Sequence, residues 1–289
     1  MPAPRHVQFA TYAKAPGLYP DDALVADALR ALGVGVTALP WDAPWPEDAR
    51  RDAVVLRSTW DYFERIDDFR AWLDALDAAG VPALNDTATV RRNLDKTYLR
   101  DLAAAGVPVV ETAWPAPGEH LADVMDAHGW TDVVVKPAIS GGAYETRRLT
   151  GPVSDADETW AAALRARVDV LVQPFRTDVV TRGEVSLLYF GGAFSHAVVK
   201  RARAGEYRIQ FQFGGTATRI DADDRLVGAG RDVLAAAGGL DLAYARVDGL
   251  VRADGGLDLM EVELIEPVLY LKAAPEAAER AARALAERI

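Results

Sequence analysis

The order of apolar patterns along the chain restricts the folds open to it. Residues 1–88 alternate short apolar runs with stretches of helical spacing, which is typical of parallel strands joined by helices. From residue 170 onward strand-like runs follow one another directly, as in an antiparallel sheet, and residues 89–169 mix both kinds of element. We therefore predict an α/β (α+β) chain. It would have an open N-terminal α/β lobe over 1–88, a small central subdomain over 89–169 and a C-terminal antiparallel-sheet domain over 170–289.

The same patterns predict individual elements. Glycine pairs at Gly191–Gly192 and Gly238–Gly239 are expected to form a hairpin turn and a helix end. Predicted helices cover residues 21–33, 67–79, 93–106 and 224–238, with another after residue 146. Predicted strands cover residues 6–13, 34–42, 53–60, 82–85, 109–114, 132–139, 171–175, 184–190, 193–201, 208–213, 243–252 and 256–267.

Charge and composition exclude several classes of function. The 43 acidic residues outnumber the 32 basic ones, and the net charge of −11 disfavours a nucleic-acid partner because it repels phosphate backbones. No apolar run approaches the roughly 20 residues that cross a bilayer, and the first residues lack a secretory signal, so we expect a cytoplasmic protein with no membrane partner. Cysteine is absent, and the four histidines show no ligand spacing. Any metal ion should therefore bind to oxygen.

The last predicted hairpin brings charged residues together. A two-residue loop at Asp254–Gly255 would pair Asp248 with Glu261 and Arg246 with Glu263. Paired side chains of this kind have Cβ atoms about 4.5–5.5 Å apart and lie on one face of the ladder. The intervening residues are then expected to point toward a core, and they are Val247, Met260, Val262 and Leu264.

Three carboxylates on one face of a hairpin indicate a cation between them. They repel one another unless a positive charge neutralises them, and hard oxygen ligands favour Mg²⁺ or a similar ion. The alternative is a solvent-facing strand pair whose arginine and acids form ordinary surface ion pairs. The hairpin alone does not decide between these two interpretations.

Two lysines and a glycine loop add to this pattern. Lys136 ends an apolar strand and precedes the loop Ser140, Gly141 and Gly142, whose backbone could curl around phosphate oxygens, although a surface turn is the alternative. Lys96 falls early in a predicted helix, where an exposed position is the alternative. Residues 172–175 end a strand where an adenine could dock.

The ordered set of motifs resembles the ATP-grasp superfamily. Arg-x-Asp at 246–248 and Glu-x-Glu at 261–263 are similar to its metal-binding end, and NLDK, VVKP, SGG, VQPF and RGEVS precede them in ATP-grasp order. This likeness covers residues 85–270. The segment 198–215 resembles the branch of ribosomal-protein glutamate ligases, where Lys200, Arg201 and Arg208 are the matching cations. RSTWDY at 57–62 and ELIEPVLYL at 263–271 resemble the subgroup of cyclo-ligases that close the D-cycloserine ring.

The resemblance implies a role for each matching residue. The phosphates of ATP would be bound by Lys96 and Lys136 with Ser140, Gly141 and Gly142. The adenine would be bound by Gln173 and Phe175, and the ribose by Glu184. Mg²⁺ or Mn²⁺ would be bound by Asp248, Glu261 and Glu263. Arg246, Arg208 and Lys200 would act on the transferring group, and Arg57, Trp60, Asp61, Arg201 and Arg203 would line the substrate site. Glu263 departs from the more usual asparagine and adds a negative charge. In the other interpretation of RSTWDY, Trp60 and Tyr62 pack beneath a loop while Arg57 pairs with a nearby acid.

The activity implied by the resemblance is ATP-dependent ligation of a carboxylate to an amine through an acyl phosphate. The substrate would be small and amino-acid-like, joined either to a second molecule or to itself by ring closure. An ATP-dependent kinase on the same fold and a non-catalytic nucleotide-binding protein are the alternatives, and a homodimer is left open.

Overall fold

The computed structural model describes residues 5–46 and 51–289 of the 289-residue chain. Three sheets organise the described residues: a parallel sheet of four strands, an antiparallel sheet of three and an antiparallel sheet of five. The parallel and antiparallel sheets follow one another along the chain as predicted. None of the helices in these two ranges is long and apolar enough to cross a membrane.

The first sheet contains β1 (His6–Thr11), β2 (Gly35–Pro40), β3 (Ala53–Leu56) and β4 (Ala83–Leu84), in the order β2-β1-β3-β4. Strands β1 and β3 are buried almost throughout because helices α1 (Pro20–Ala31) and α2 (Ile66–Ala78) connect neighbouring strands. These elements agree with the predicted open α/β lobe. The polar segment that follows β3 is thereby placed at the carboxyl edge of a parallel sheet, where ligands commonly bind.

The second sheet has the strand order β6-β5-β7, formed by β5 (Asp132–Pro137), β6 (Arg147–Thr150) and β7 (Val170–Pro174). Helices α5 (Leu121–His128) and α6 (Asp155–Arg165) pack their apolar residues against it. Before it, α3 (Thr87–Asn93) and α4 (Tyr98–Ala104) replace the single helix predicted over 93–106. The segment 109–114 makes only isolated bridges through Val109 and Ala113 rather than the predicted strand. The domain boundaries at residues 88 and 169 stay predictions.

The third sheet has the order β10-β9-β8-β11-β12 and carries most of the charged residues singled out above. After the short α7 (Asp178–Thr181), it contains β8 (Glu184–Phe190), β9 (Ala193–Arg201), β10 (Thr216–Ile220), β11 (Tyr244–Val251) and β12 (Leu257–Glu263), with α8 (Asp224–Ala236) and α9 (Ala277–Ala286) completing the chain. The predicted turn at Gly191–Gly192 is confirmed, since Phe190 pairs with Ala193.

The strand predicted over 208–213 is wrong. The chain there ends in a short 3₁₀ turn, Phe211–Phe213, and folds back at two glycines. Gly214 has a φ of 83°, and a Cβ on Gly215 would lie 1.9 Å from the carbonyl oxygen of Ile209. Such a reversal prevents the segment from extending into a strand, and it leaves the 3₁₀ turn at the mouth of a cavity.

Buried polar contacts join the first sheet to the third. The Tyr244 hydroxyl lies 2.8 Å from the carbonyl oxygens of Leu56, Leu84 and Ile265. The Asn85 side chain donates to the carbonyl oxygens of Tyr244 and Leu264, each at 2.8 Å. These contacts satisfy backbone groups that would otherwise be buried without partners. They also place the ends of β3 and β4 next to the segment that leaves β12.

Candidate active site

A cavity of about 740 Å³ lies where the three sheets meet. Most of the residues singled out in the sequence line it, although they come from separate stretches of the chain. They are Trp60, Lys96, Lys136, Ser140, Gly141, Gly142, Gln173, Phe175, Glu184, Lys200, Arg208, Arg246, Asp248, Glu261 and Glu263.

The predicted pairing in the last hairpin is confirmed, but the prediction of a two-residue loop is wrong. Asp248 lies opposite Glu261 and Arg246 opposite Glu263. The turn nevertheless has three residues, because Arg252 donates to the carbonyl oxygen of Gly256. A β-bulge at residue 260 adds one residue to β12 and restores the pairing beyond it.

The bulge also corrects the predicted orientation of Met260. Val247, Val262 and Leu264 are buried in the core as expected, whereas Met260 lines the cavity. An extra residue in a strand interrupts the alternation of faces, so Met260 no longer follows the rule that placed it in the core.

Two buried cations hold the carboxylates of the third sheet. Arg246 donates to Asp248 at 2.9 Å and also to Glu263, and Lys200 donates to Glu184 at 2.6 Å and to Asp248 at 2.9 Å. Burial alone would raise the pKa of Asp248, but Arg246 and Lys200 outweigh it and hold that pKa below the usual range. The charges thus form one connected network rather than isolated surface pairs.

Glu263 behaves differently from Asp248. Burial raises its pKa to about 7, and repulsion from Glu261 and Asp248 adds to that effect while Arg246 opposes it. Its side chain keeps 27% of its surface exposed, and that of Glu261 keeps 29%. These two carboxylates therefore retain access to the cavity.

Lys96 lies in the turn between α3 and α4 rather than within a helix, and it is buried rather than solvated. Its backbone N–H donates to the carbonyl oxygen of Ala138. Its ammonium donates to the carbonyl oxygen of Ser140 at 2.7 Å and lies 3.0 Å from Glu261. The side chain thus connects the glycine loop to the carboxylate face of the hairpin. Lys136 enters the same space from β5, and burial lowers its pKa.

The glycine loop after β5 is held from two sides. Gln212 donates to the carbonyl oxygen of Gly142 at 3.1 Å, so the 3₁₀ turn reaches across the cavity mouth. On the other side the Phe63 ring packs so closely that a Cβ on Gly141 would lie 2.8 Å from it. The glycine-loop end of the cavity is therefore covered by two separate segments.

Another part of the cavity lies at the end of β7. Gln173 is buried on β7 and donates to the Thr112 hydroxyl at 2.9 Å. Phe175 stacks against the Arg148 guanidinium, whose carbon lies 3.5 Å from the ring centroid. An aromatic face beside a strand end suits a planar base. Arg208 lines the cavity nearby.

Several known proteins resemble this chain. The cycloserine biosynthesis protein DcsG of Streptomyces lavendulae is 34% identical over 275 residues, which cover 91% of this chain and 92% of that protein. The chain belongs to the DcsG family of ATP-grasp ligases. The family model described as the N-terminal domain of D-cycloserine synthetase DcsG matches residues 7–85.

Other comparisons agree with membership of this ATP-grasp family. The crystal structure of D-cycloserine synthetase DcsG superposes with a TM-score of 0.87 at 31% identity, and the match covers 98% of this chain and 99% of that one. A probable alpha-L-glutamate ligase of Shewanella denitrificans is 26% identical over 200 residues, 66% of this chain and 63% of that protein. The chain is therefore an ATP-grasp enzyme of the carboxylate–amine ligase class. Its use of ATP and of a divalent metal ion stays a prediction.

The charged face of this ATP-grasp ligase offers suitable donors for such a metal ion. Glu261 and Glu263 present accessible carboxylate oxygens, the ligands that Mg²⁺ prefers. Within residues 5–46 and 51–289, however, no group of three or more His, Cys, Asp or Glu side chains is arranged to hold a metal ion. Lys96, Lys200 and Arg246 engage the carboxylates instead. The donor set fits the ion chemically, and the lysine and arginine contacts would have to yield to it.

Four of the predicted substrate residues do not line the cavity. Arg57 is buried and pairs with Asp22 at 2.7 Å, which agrees with the alternative interpretation of that segment. Asp61 accepts a hydrogen bond from the indole of Trp41. Arg201 and Arg203 are exposed outside the cavity lining. Arg201 follows Lys200 on β9, so the two side chains point to opposite faces of the sheet.

The cavity lining also includes side chains that the sequence did not single out, among them Tyr12, Tyr19, Glu266 and Tyr270. Glu266 interrupts the apolar run LIEPVLYL, and that interruption was a detectable signal. Tyr270 has a φ of 53°, which is uncommon for a residue with a side chain, and its ring lies over the Arg246 guanidinium at 5.4 Å.

Proposed function

We propose that this ligase converts the carboxylate of a small amino-acid-like substrate into an acyl phosphate and then closes a ring by attack of an amine nitrogen of the same molecule. The observation that carries the proposal is the convergence of Lys96, Lys136, Lys200 and Arg246 with accessible carboxylates in one covered cavity. The similarity to DcsG along nearly the whole chain supports ring closure in particular.

The proposed reaction has two steps. A carboxylate oxygen first forms a bond to the γ-phosphorus of ATP while the bond to ADP breaks. The amine lone pair then attacks the acyl carbon, the bond from that carbon to phosphate oxygen breaks, and the amine loses a proton. Neither step needs a nucleophilic side chain, so positioning and charge neutralisation are the tasks of the protein.

The cations and the carboxylates of the cavity would have different roles in positioning and in charge neutralisation. Lys96, Lys136 and the backbone of the glycine loop would bind phosphates, and Lys200, Arg246 and Arg208 would offset charge on the transferring group. Asp248, Glu261 and Glu263 would hold Mg²⁺, which neutralises phosphate oxygens when bound. Mn²⁺ is expected to substitute because all the ligands are oxygen.

The remaining residues of the cavity would bind the nucleoside and exclude water. Gln173 and Phe175 would contact the adenine and Glu184 the ribose. The Gln212–Gly142 contact joins the two segments that cover the phosphate end. Excluding water there would protect the acyl phosphate from hydrolysis.

Hydroxylamine trapping tests this proposal. The full chain is incubated with Mg-ATP, hydroxylamine and a panel of amino acids and ureido or peptide analogues, and ADP and hydroxamate are measured together. A hydroxamate that depends on both ATP and an acid is expected. ADP and a phosphorylated product without hydroxamate would indicate a kinase and contradict the proposal. When hydroxylamine is omitted, a product with the mass of one substrate molecule less one water supports ring closure, and a product with the mass of two molecules less one water opposes it.

A further inference from the structure

Within the described part of the chain, Glu266 is the carboxylate of the cavity that forms no ion pair. Among the described residues the cavity is lined by five other carboxylates, and each forms an ion pair within the protein. Glu64 pairs with Lys14, Glu184 and Asp248 with Lys200, Glu261 with Lys96, and Glu263 with Arg246. No Lys, Arg or His of residues 5–46 and 51–289 forms such a pair with Glu266. An isolated carboxylate in a covered cavity is costly unless a cation reaches it.

Glu266 lies between the charged hairpin and the N-terminal lobe. It lies three residues beyond Glu263, where the chain leaves β12 and meets the N-terminal lobe. Its backbone oxygen accepts a hydrogen bond from the indole nitrogen of Trp60 at 3.3 Å. Burial raises the pKa of its carboxyl to about 8, and repulsion from Glu263 adds to that effect, while the charge of Lys96, which forms no ion pair with Glu266, opposes it. A bound cation would offset both effects.

Aromatic rings surround this part of the cavity. Tyr19 packs edge-on against Trp60 with ring centroids 5.0 Å apart, and Tyr12 lies 6.2 Å from the same indole. All three residues line the cavity together with Glu266. Aromatic faces attract organic ammonium groups, whereas a divalent metal ion needs several oxygen ligands that an indole does not supply.

We propose that Glu266 and the Trp60 ring bind the ammonium group of the amino-acid substrate. The inference rests on the proposed ligase function and adds to it the residue that selects amino acids over other carboxylic acids. The carboxylate supplies the opposite charge, and the aromatic wall favours an organic cation. Glu266 is a substrate-binding residue in this assignment, with no part in phosphate transfer.

The experiment compares acids with and without an amine. Hydroxylamine-dependent ADP release by the full chain is measured with D-serine or O-carbamoyl-D-serine and with 3-hydroxypropionate, which keeps the carboxylate and hydroxyl but lacks the amine. We expect kcat/KM to be about 100-fold higher for the amino acids, since a charge-assisted contact is lost without the amine. In Glu266→Gln the ratio of kcat/KM for the amino acids to kcat/KM for 3-hydroxypropionate should fall to about 3 or less, with KM for ATP unchanged.

Two further variants make the result specific. Glu266→Asp keeps the charge and should recover part of the preference. Glu279→Gln removes an exposed carboxylate of α9, outside the cavity lining, and should behave as the unaltered protein. If Glu266→Gln still prefers the amino acids over 3-hydroxypropionate, the assignment is overturned. It is also overturned if the substitution changes KM for ATP as much as it changes the preference for the amino acids.

Failure of the ligase proposal would not be confused with failure of this inference. If no acid gives a hydroxamate, the proposed function fails, and calorimetric titration of the same three compounds into the protein then tests Glu266 directly. Tighter binding of D-serine than of 3-hydroxypropionate, abolished by Glu266→Gln, would support the assignment. Equal binding of both compounds would refute it.

Discussion

Lys96 holds its ammonium nitrogen 3.0 Å from Oε1 of Glu261. The lysine comes from the turn between α3 and α4 and the glutamate from β12, so residues 165 positions apart share one contact. In the proposed function one of them binds phosphate and the other a metal ion. Their contact thus neutralises each charge until the nucleotide and its metal replace it.

Glu261→Gln should abolish turnover without unfolding the protein. An amide is a weak ligand for Mg²⁺, and a metal ion at a transferring phosphate contributes several kcal/mol, so we expect ADP release to fall by about 100-fold or more. Glu279→Gln, at a side chain 71% exposed on α9, is the matched control. Activity close to that of the unaltered protein in Glu261→Gln would show that this carboxylate does not hold the metal.

Lys200→Met should destabilise the fold more than most single changes. The substitution leaves Glu184 and Asp248 buried with one cation fewer, and breaking a buried pair in this way costs about 3–5 kcal/mol. Urea unfolding measures the change, with the exposed Lys272→Met as control. Adding Glu184→Gln to Lys200→Met should recover part of the loss, and a fully additive double variant would argue against the coupling.

Gly141→Ala should weaken nucleotide binding through Phe63. The new Cβ would lie 2.8 Å from the Phe63 ring, so the glycine loop would have to shift, and KM for ATP should rise on the order of tenfold. Trimming the ring with Phe63→Leu should restore binding in the double variant. Gly17→Ala serves as control because a Cβ there meets nothing within 4 Å. An unchanged KM in Gly141→Ala would indicate that the loop does not contact the nucleotide.

His196 should make stability depend on pH in the acidic range. Burial lowers its pKa to about 4 in the folded chain, against 6.5 for an ordinary histidine, and the Arg280 charge contributes. Between these values the unfolded state binds the additional proton, so the free energy of unfolding should decrease as the pH falls from about 6.5 to 4, by as much as about 3 kcal/mol.

Comparison with a variant isolates the histidine from other titrating groups. In His196→Gln the slope of unfolding free energy against pH over this range should be smaller, whereas His120→Gln, at a side chain 72% exposed, should keep the original slope. Identical slopes in all three proteins would mean that the buried imidazole titrates normally.

Local patterns in the sequence were sufficient for most of the elements and for much of the site. Alternation of apolar and polar residues predicted that Arg246, Asp248, Glu261 and Glu263 share a face, and they do. The prediction of the loop failed while the pairing held, because the bulge at Met260 compensates for the longer turn. The alternation of apolar and polar residues along a strand predicts which residues face the core. A bulge depends on the neighbouring strands and leaves no strong signal in the local sequence.

Tertiary structure alone decided which of the charged residues near Trp60 line the cavity. Arg57 matches a substrate residue by resemblance, yet it turns into the interior to pair with Asp22, which lies 35 positions earlier. Glu266 drew no attention by itself, yet among the described residues it is the cavity carboxylate that forms no ion pair. Whether a charged side chain finds a partner depends on which distant segments are packed beside it. The sequence by itself therefore determined the strands, the helices and the charged hairpin, and long-range packing determined which charges are already neutralised and which remain for a ligand.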